Sequence, residues 1–256
     1  MTGGGVPGGG VPGGGGGELA RRQVGELVGQ LSSDDLGRAD RGRLLLRLTR
    51  ALAAGAKAAG ARAALSGRLL TDAVTDVAPH LPVRDLLTLR SHHGGLSGDD
   101  LAEALTSAAS KVTAGIGAAS GALATAEMTA PPALLGAPVQ LLAETLAVVA
   151  VELKLVAELH VVYGRAPQGS RPEVALAYLS SWAAKRGIDP RKGAPGLTSV
   201  LSTAAKAQLR SRLMRRAGRN LTAFAPLLTG AVAGAELNRR ETRSLGEALI
   251  RDLHRR

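Results

Sequence analysis

Residues 141–164 read LLAETLAVVAVELKLVAELHVVYG. Wound as a helix, Leu142, Leu146, Val149 and Leu153 fall on one side. The other side carries Val148, Val151, Leu155 and Val162, interleaved with Glu144, Glu152, Lys154 and Glu158. A helix that is apolar nearly all round is normally a buried central one. From Val139 to Tyr163 it would be ~37 Å long. The expected fold is therefore all-α: a single multi-helix domain, of about eight to ten helices, around a long apolar central helix. The four ionisable residues are costly in such a position unless they are paired. Lys154 and Glu158 stand four apart and can pair. A buried carboxylate there could serve as a general acid; the simpler expectation is pairing with arginines of neighbouring helices or contact with solvent at a groove.

Working outward, other segments repeat the helical period. Leu19, Val24, Leu27, Val28 and Leu31 share a face, and Ser32-Ser33-Asp34-Asp35 reads as the N-terminal cap of a second helix through Leu44, Leu45, Leu48 and Leu52. A third is expected over 61–77 and a short fourth after Pro82, with Leu86, Leu87 and Leu89. Ser97-Gly98-Asp99-Asp100 caps a long helix rich in Ala, Gly and Ser. Its Gly117 and Gly121 are four apart, a spacing that lets two helix backbones approach closely. Beyond residue 164, helices are expected at 173–186 and 197–217, then one from Pro226 through Gly230 and Gly234, and a last one from about Glu241. Hairpin signals are missing.

Before all of this, residues 1–17 read MTGGGVPGGGVPGGGGG, with GGGVP given twice. Glycine at that density holds no single backbone conformation, so a disordered tail is expected. The divisions read from the sequence are a tail at 1–17, an N-terminal helical segment at 18–87 and a helical core at 88–256.

Composition narrows the chemistry. The 256 residues are 45% hydrophobic but only 2% aromatic, so the core is built from Leu, Val and Ala. There is no cysteine, which excludes disulfides, thiolate metal sites and cysteine nucleophiles. The start of the chain lacks the pattern of a secretory signal, and no long charge-free apolar run reads as a membrane span. Gly115-x-Gly117-x-x-x-Gly121 is a faint echo of a nucleotide loop, but it lies inside helical patterning, where its amides could not face a phosphate. His92 and His93 are adjacent and otherwise unsupported, and His80, His160 and His254 are scattered, so no metal or cofactor is expected. No catalytic motif is present.

Charge is distributed unevenly. The net charge is +11, yet residues 1–164 carry 14 Lys/Arg against 15 Asp/Glu, and residues 165–256 carry 18 against 6. Lys206, Arg210, Arg212, Arg215, Arg216 and Arg219 lie on one expected helix beside a stripe of Leu197, Leu201, Ala205, Leu209 and Leu213. A basic amphipathic helix of this kind can lie on an anionic membrane, contact nucleic-acid phosphates, or simply present a solvated face. The scarcity of aromatics counts against base stacking.

Three stretches together resemble the EcsC family: HHGGLSGDDLAEALTSAASKVTAGIGAASGALA (92–124), residues 141–164, and APLLTGAVAGAELNRRETRSLGEAL (225–249). The resemblance covers roughly 88–252. It implies an all-helical fold and a loose association with membranes or export, and carries no catalytic residues. The expected function is thus a non-enzymatic accessory protein, in the cytoplasm or peripheral on the inner membrane face, docking on anionic lipid or a membrane protein. The rival readings are a hydrophobic-ligand binder or enzyme using the carboxylates of residues 141–164, and, third, nucleic-acid binding. Nothing in the sequence addresses oligomeric state.

Overall fold

A computed structural model describes residues 15–59, 73–74, 77, 81–128, 136–186 and 229–255. Among them are helices α1 (Gly15–Leu31), α2 (Arg38–Ala59), α3 (Leu86–His92), α4 (Gly98–Met128), α5 (Gly136–Val162), α6 (Arg171–Lys185) and α7 (Thr229–Arg255), and no strand. Residues 1–14 of the expected tail, the expected helix at 61–77 apart from residues 73, 74 and 77, and the expected helix at 197–217 lie outside the described residues.

Every residue from Val139 to Leu159 is buried. The cause is packing on all sides: α5 touches α1, α2, α4, α6 and α7. Leu142, Leu146, Leu155 and Leu159 are almost wholly withdrawn from water, each contributing roughly 1.5–3 kcal/mol by transfer bookkeeping. The expectation of a long apolar central helix nevertheless needs correction. No helix among the described residues is long and apolar enough to cross a membrane. Gln140, Glu144, Glu152, Lys154 and Glu158 are all built into the buried part of α5. Its surroundings are protein with matched polar groups, not a uniformly apolar medium.

The widest helix–helix interface joins α4 to α7. It depends on glycine at one crossing. A Cβ added at Gly234 would lie 2.8 Å from the carbonyl oxygen of Gly117, and one at Gly117 would run into the Gly234 backbone. The sequence-based pairing of Gly117 with Gly121 therefore misses the partner, which comes from α7. About three turns along, Gly246 lies against Thr106, whose Oγ1 would be 2.5 Å from an added Cβ.

Three boundaries differ from expectation. Gly15–Gly17, read as tail, already belong to α1. Ser32-Ser33-Asp34-Asp35 does not cap α2: the Ser32 hydroxyl donates back to the Gly29 carbonyl (2.7 Å), and α2 opens on the bond from Arg41 N to Gly37 O (3.0 Å). Asp34 and Asp35 instead sit in the turn between the helices. The expected break near Glu241 is absent, because Asn238, Thr242, Leu245, Leu249 and Leu253 keep one continuous buried face through α7. The Tyr163-Gly164 end of α5 closes on a left-handed glycine (φ 64°), with Arg165 N donating to His160 O at 2.7 Å.

Candidate functional site

The polar residues of α5 form three separate nodes. At the first, Glu144 accepts from the Ser120 hydroxyl (2.6 Å) on one oxygen and from Asn238 Nδ2 (3.2 Å) on the other. Asn238 also donates to Thr113 O (3.2 Å), and Gln140 Nε2 donates to Ser120 O (2.6 Å). This node ties α4, α5 and α7 together beside the Gly117–Gly234 crossing. The Gln140 side-chain oxygen is buried there without a hydrogen bond.

At the second node Glu152 is completely buried. Its Oε2 accepts from Trp182 Nε1 (2.9 Å); its Oε1 accepts from Thr242 Oγ1 (3.0 Å) and from the Arg186 guanidinium. At the third, Glu158 receives Arg84 in a fork, Nε to Oε1 at 2.8 Å and Nη2 to Oε2 at 3.2 Å, with Lys154 Nζ 3.7 Å away. Hydrogen bonding to Glu158 raises the Arg84 pKa above its ordinary value, against the opposing effect of burial. Both oxygens of each carboxylate are therefore occupied by donors from other parts of the fold. None of the hollows described below is lined by Glu144, Glu152 or Glu158.

The third node opens to solvent on one side. Asp34, from the α1–α2 turn, lies 3.0 Å from Arg84 Nη2 and 3.6 Å from Lys154 Nζ. His92 Nδ1 is 3.4 Å from Arg84 Nη1. A hollow of about 610 Å³ lies over these groups, and a second of about 430 Å³ adjoins it, sharing Asp34 and His93. The second is lined by Arg41 and Lys111. Arg41 is only 6% exposed; its Nη2 donates to Ser33 O (3.0 Å), while its Nε has no hydrogen-bond partner. Burial lowers its pKa from the ordinary value, and the nearby Asp34 opposes that shift. A third hollow, of about 650 Å³, runs between α4 and α7.

The structure thus distributes Glu144, Glu152, Lys154 and Glu158 over three nodes and brings only Lys154 and Glu158 together. Lys206, Arg210, Arg212, Arg215, Arg216 and Arg219 lie outside the described residues. His92 and His93 border the cleft, but no group of metal-ligating side chains occurs among the described residues. His160 Nδ1 lies 2.7 Å from the Val156 carbonyl and packs edge-on against Tyr178; His254 lies 3.3 Å from Asp99. Sequence reasoning missed Asp34, Arg41 and Arg84. Each joins the cleft through tertiary contact, which helical periodicity does not report.

No family model, no curated protein and no solved structure matches this chain. The assignment to the EcsC family is corrected accordingly. What stands is an all-α, multi-helix chain with no family shown.

Proposed function

We propose that this protein is a non-enzymatic helical accessory protein that docks by charge on an acidic partner, the anionic face of a membrane or a membrane protein. The observation that carries the reading is the location of its unbalanced charge. On α7, Arg239 and Arg240 share Glu236 and Arg243 pairs with Glu247, so each of these exposed arginines has an acidic neighbour on its own helix. More than half of the excess falls on residues 187–228, with 8 Lys/Arg against Asp189 alone. Each basic residue near an anionic surface contributes about 1 kcal/mol. The non-enzymatic part of the reading is supported by the three α5 carboxylates, whose oxygens are engaged in holding helices together. Docking here means surface attachment, in keeping with the absence of a crossing helix among the described residues.

Co-sedimentation with vesicles tests this. Binding to vesicles containing phosphatidylserine is expected, with little to pure phosphatidylcholine, and R215E with R216E should weaken it several-fold. Equal binding to both vesicles, or no effect of the double variant, would overturn the reading.

A further inference from the structure

The cleft over Asp34 holds an imbalance that the fold does not resolve internally. Four cationic side chains line its two adjoining hollows, Arg41 and Lys111 the smaller, Arg84 and Lys154 the larger, against Asp34 and Asp35, with Glu158 paired to Arg84. Arg84 and Lys154 share Asp34 and Glu158 through ion pairs. Arg41 makes none, although it is more than nine-tenths buried, and its Nε is unbonded. A buried guanidinium whose acidic neighbour, Asp34, is shared with Arg84 and Lys154 is costly, and an arginine Nε–H left dry adds to that cost. The Nε is closed off from solvent, but other atoms of Arg41 line an open hollow that shares Asp34 and His93 with the larger one.

We infer that this cleft is an oxyanion site, built to take a phosphate group between Arg41 and the Arg84–Lys154 pair. Arginine suits a phosphate because its planar fork can give two parallel charge-assisted hydrogen bonds. Cations arriving from separate elements suit a tetrahedral anion, which presents oxygens in several directions. Asp34 is the group that must yield. Its side chain is about one-quarter exposed, at 27%, and stands in a turn rather than in a helix. Asp34 serves as the internal counter-ion to Arg84 and Lys154; on phosphate binding it swings toward solvent and gives them up. Gly115 on α4 supplies the clearance: a Cβ there would lie 2.9 Å from Arg41 Nη1 and push the guanidinium aside. The glycine that looked like part of a nucleotide loop in the sequence is thus placed beside the cleft by its contact with Arg41. None of the residues named for this site lies in the basic segment at 187–228.

Titration of the full chain with inorganic phosphate, followed by calorimetry and by thermal midpoint, tests the inference against chloride at matched ionic strength. Phosphate should bind and raise the midpoint where chloride does not. Loss of one charge-assisted contact in Arg41→Met should weaken binding roughly tenfold or more. Asp34→Asn removes the internal competitor and should tighten binding. Gly115→Ala, which keeps every charge, should weaken it; this variant and Asp34→Asn carry the test if Arg41→Met fails to fold. A parallel arm uses vesicles of phosphatidic acid in phosphatidylcholine. Vesicle binding lost in Arg41→Met but kept in R215E with R216E identifies a lipid headgroup as the phosphate source; binding of free phosphate alone identifies a soluble one. If phosphate acts no differently from chloride and vesicle binding ignores Arg41, or if Asp34→Asn and Gly115→Ala leave phosphate binding unchanged, the site does not exist.

Discussion

Glu152 shows how a buried charge is tolerated in this fold. It is 0% exposed, and its two oxygens face Trp182, Thr242 and Arg186, drawn from α6, α7 and the residue just past α6. Removing one member of such a set leaves the others dry, which costs more than the set contributes as a whole. Glu152→Ala is therefore expected to destabilise the protein by roughly 3 kcal/mol. Replacing both charges, Glu152→Leu with Arg186→Met, should cost clearly less than the two single changes added together. Urea denaturation of the four proteins measures this, and strict additivity would mean that the two groups do not act as a pair. The same residue scale marks what could be read in advance. That charges on residues 141–164 need partners follows from their apolar surroundings alone. Which partners they find does not, because Ser120, Asn238, Arg84 and Arg186 reach them from up to 94 residues away. Periodicity carries no such information.

At the scale of elements, helices were legible wherever an apolar stripe recurs, and their ends were less so. Ser32-Ser33-Asp34-Asp35 has the composition of a cap, but Ser32 is spent on closing α1 and Asp34 on the cleft. The continuity of α7 was hidden because Arg239, Arg240 and Arg243 interrupt the apolar pattern on the solvent side, while Glu241 turns inward toward Arg186. Glycine made the opposite kind of error. A small-residue spacing was visible in α4, yet the close approach it serves is to Gly234 of α7. Backbone contact at that crossing leaves no space for a methyl group. Gly117→Ala should force α4 from α7 and cost about 1–3 kcal/mol, the range for overpacking a well-packed interior, despite the better helix propensity of alanine. Gly42→Ala in α2, where a Cβ meets nothing within 4 Å, is the control and should be neutral or stabilising. Thermal midpoints of the two variants compare them directly; a Gly117→Ala protein as stable as the control would show that α4 and α7 can part at no cost.

For the whole molecule, the decisive question is whether the segment at 18–87 and the rest of the chain melt as one. α1 and α2 both pack on α5, and α2 also packs on α4. Leu45 of α2 and Leu249 of α7 are each 0% exposed and belong to the same connected core. If α5 unites the helices around it, truncating either leucine should lower the stability of everything. Leu45→Ala and Leu249→Ala are each expected to cost about 2–5 kcal/mol. Both variants should still unfold in a single transition, with coincident far-ultraviolet circular dichroism and Trp182 fluorescence, as a two-state domain requires. Trp182 reports from α6, remote in sequence from Leu45, and touches α5 through Glu152. A Leu45→Ala protein whose circular dichroism falls early while Trp182 fluorescence keeps its original midpoint would separate the N-terminal helices from the core. In that case the oxyanion cleft, which takes Asp34, Arg41 and Arg84 from the first part and Lys154 from the second, would come apart with the first transition. Phosphate would then raise that early midpoint alone, whereas in a cooperative molecule it raises the single one.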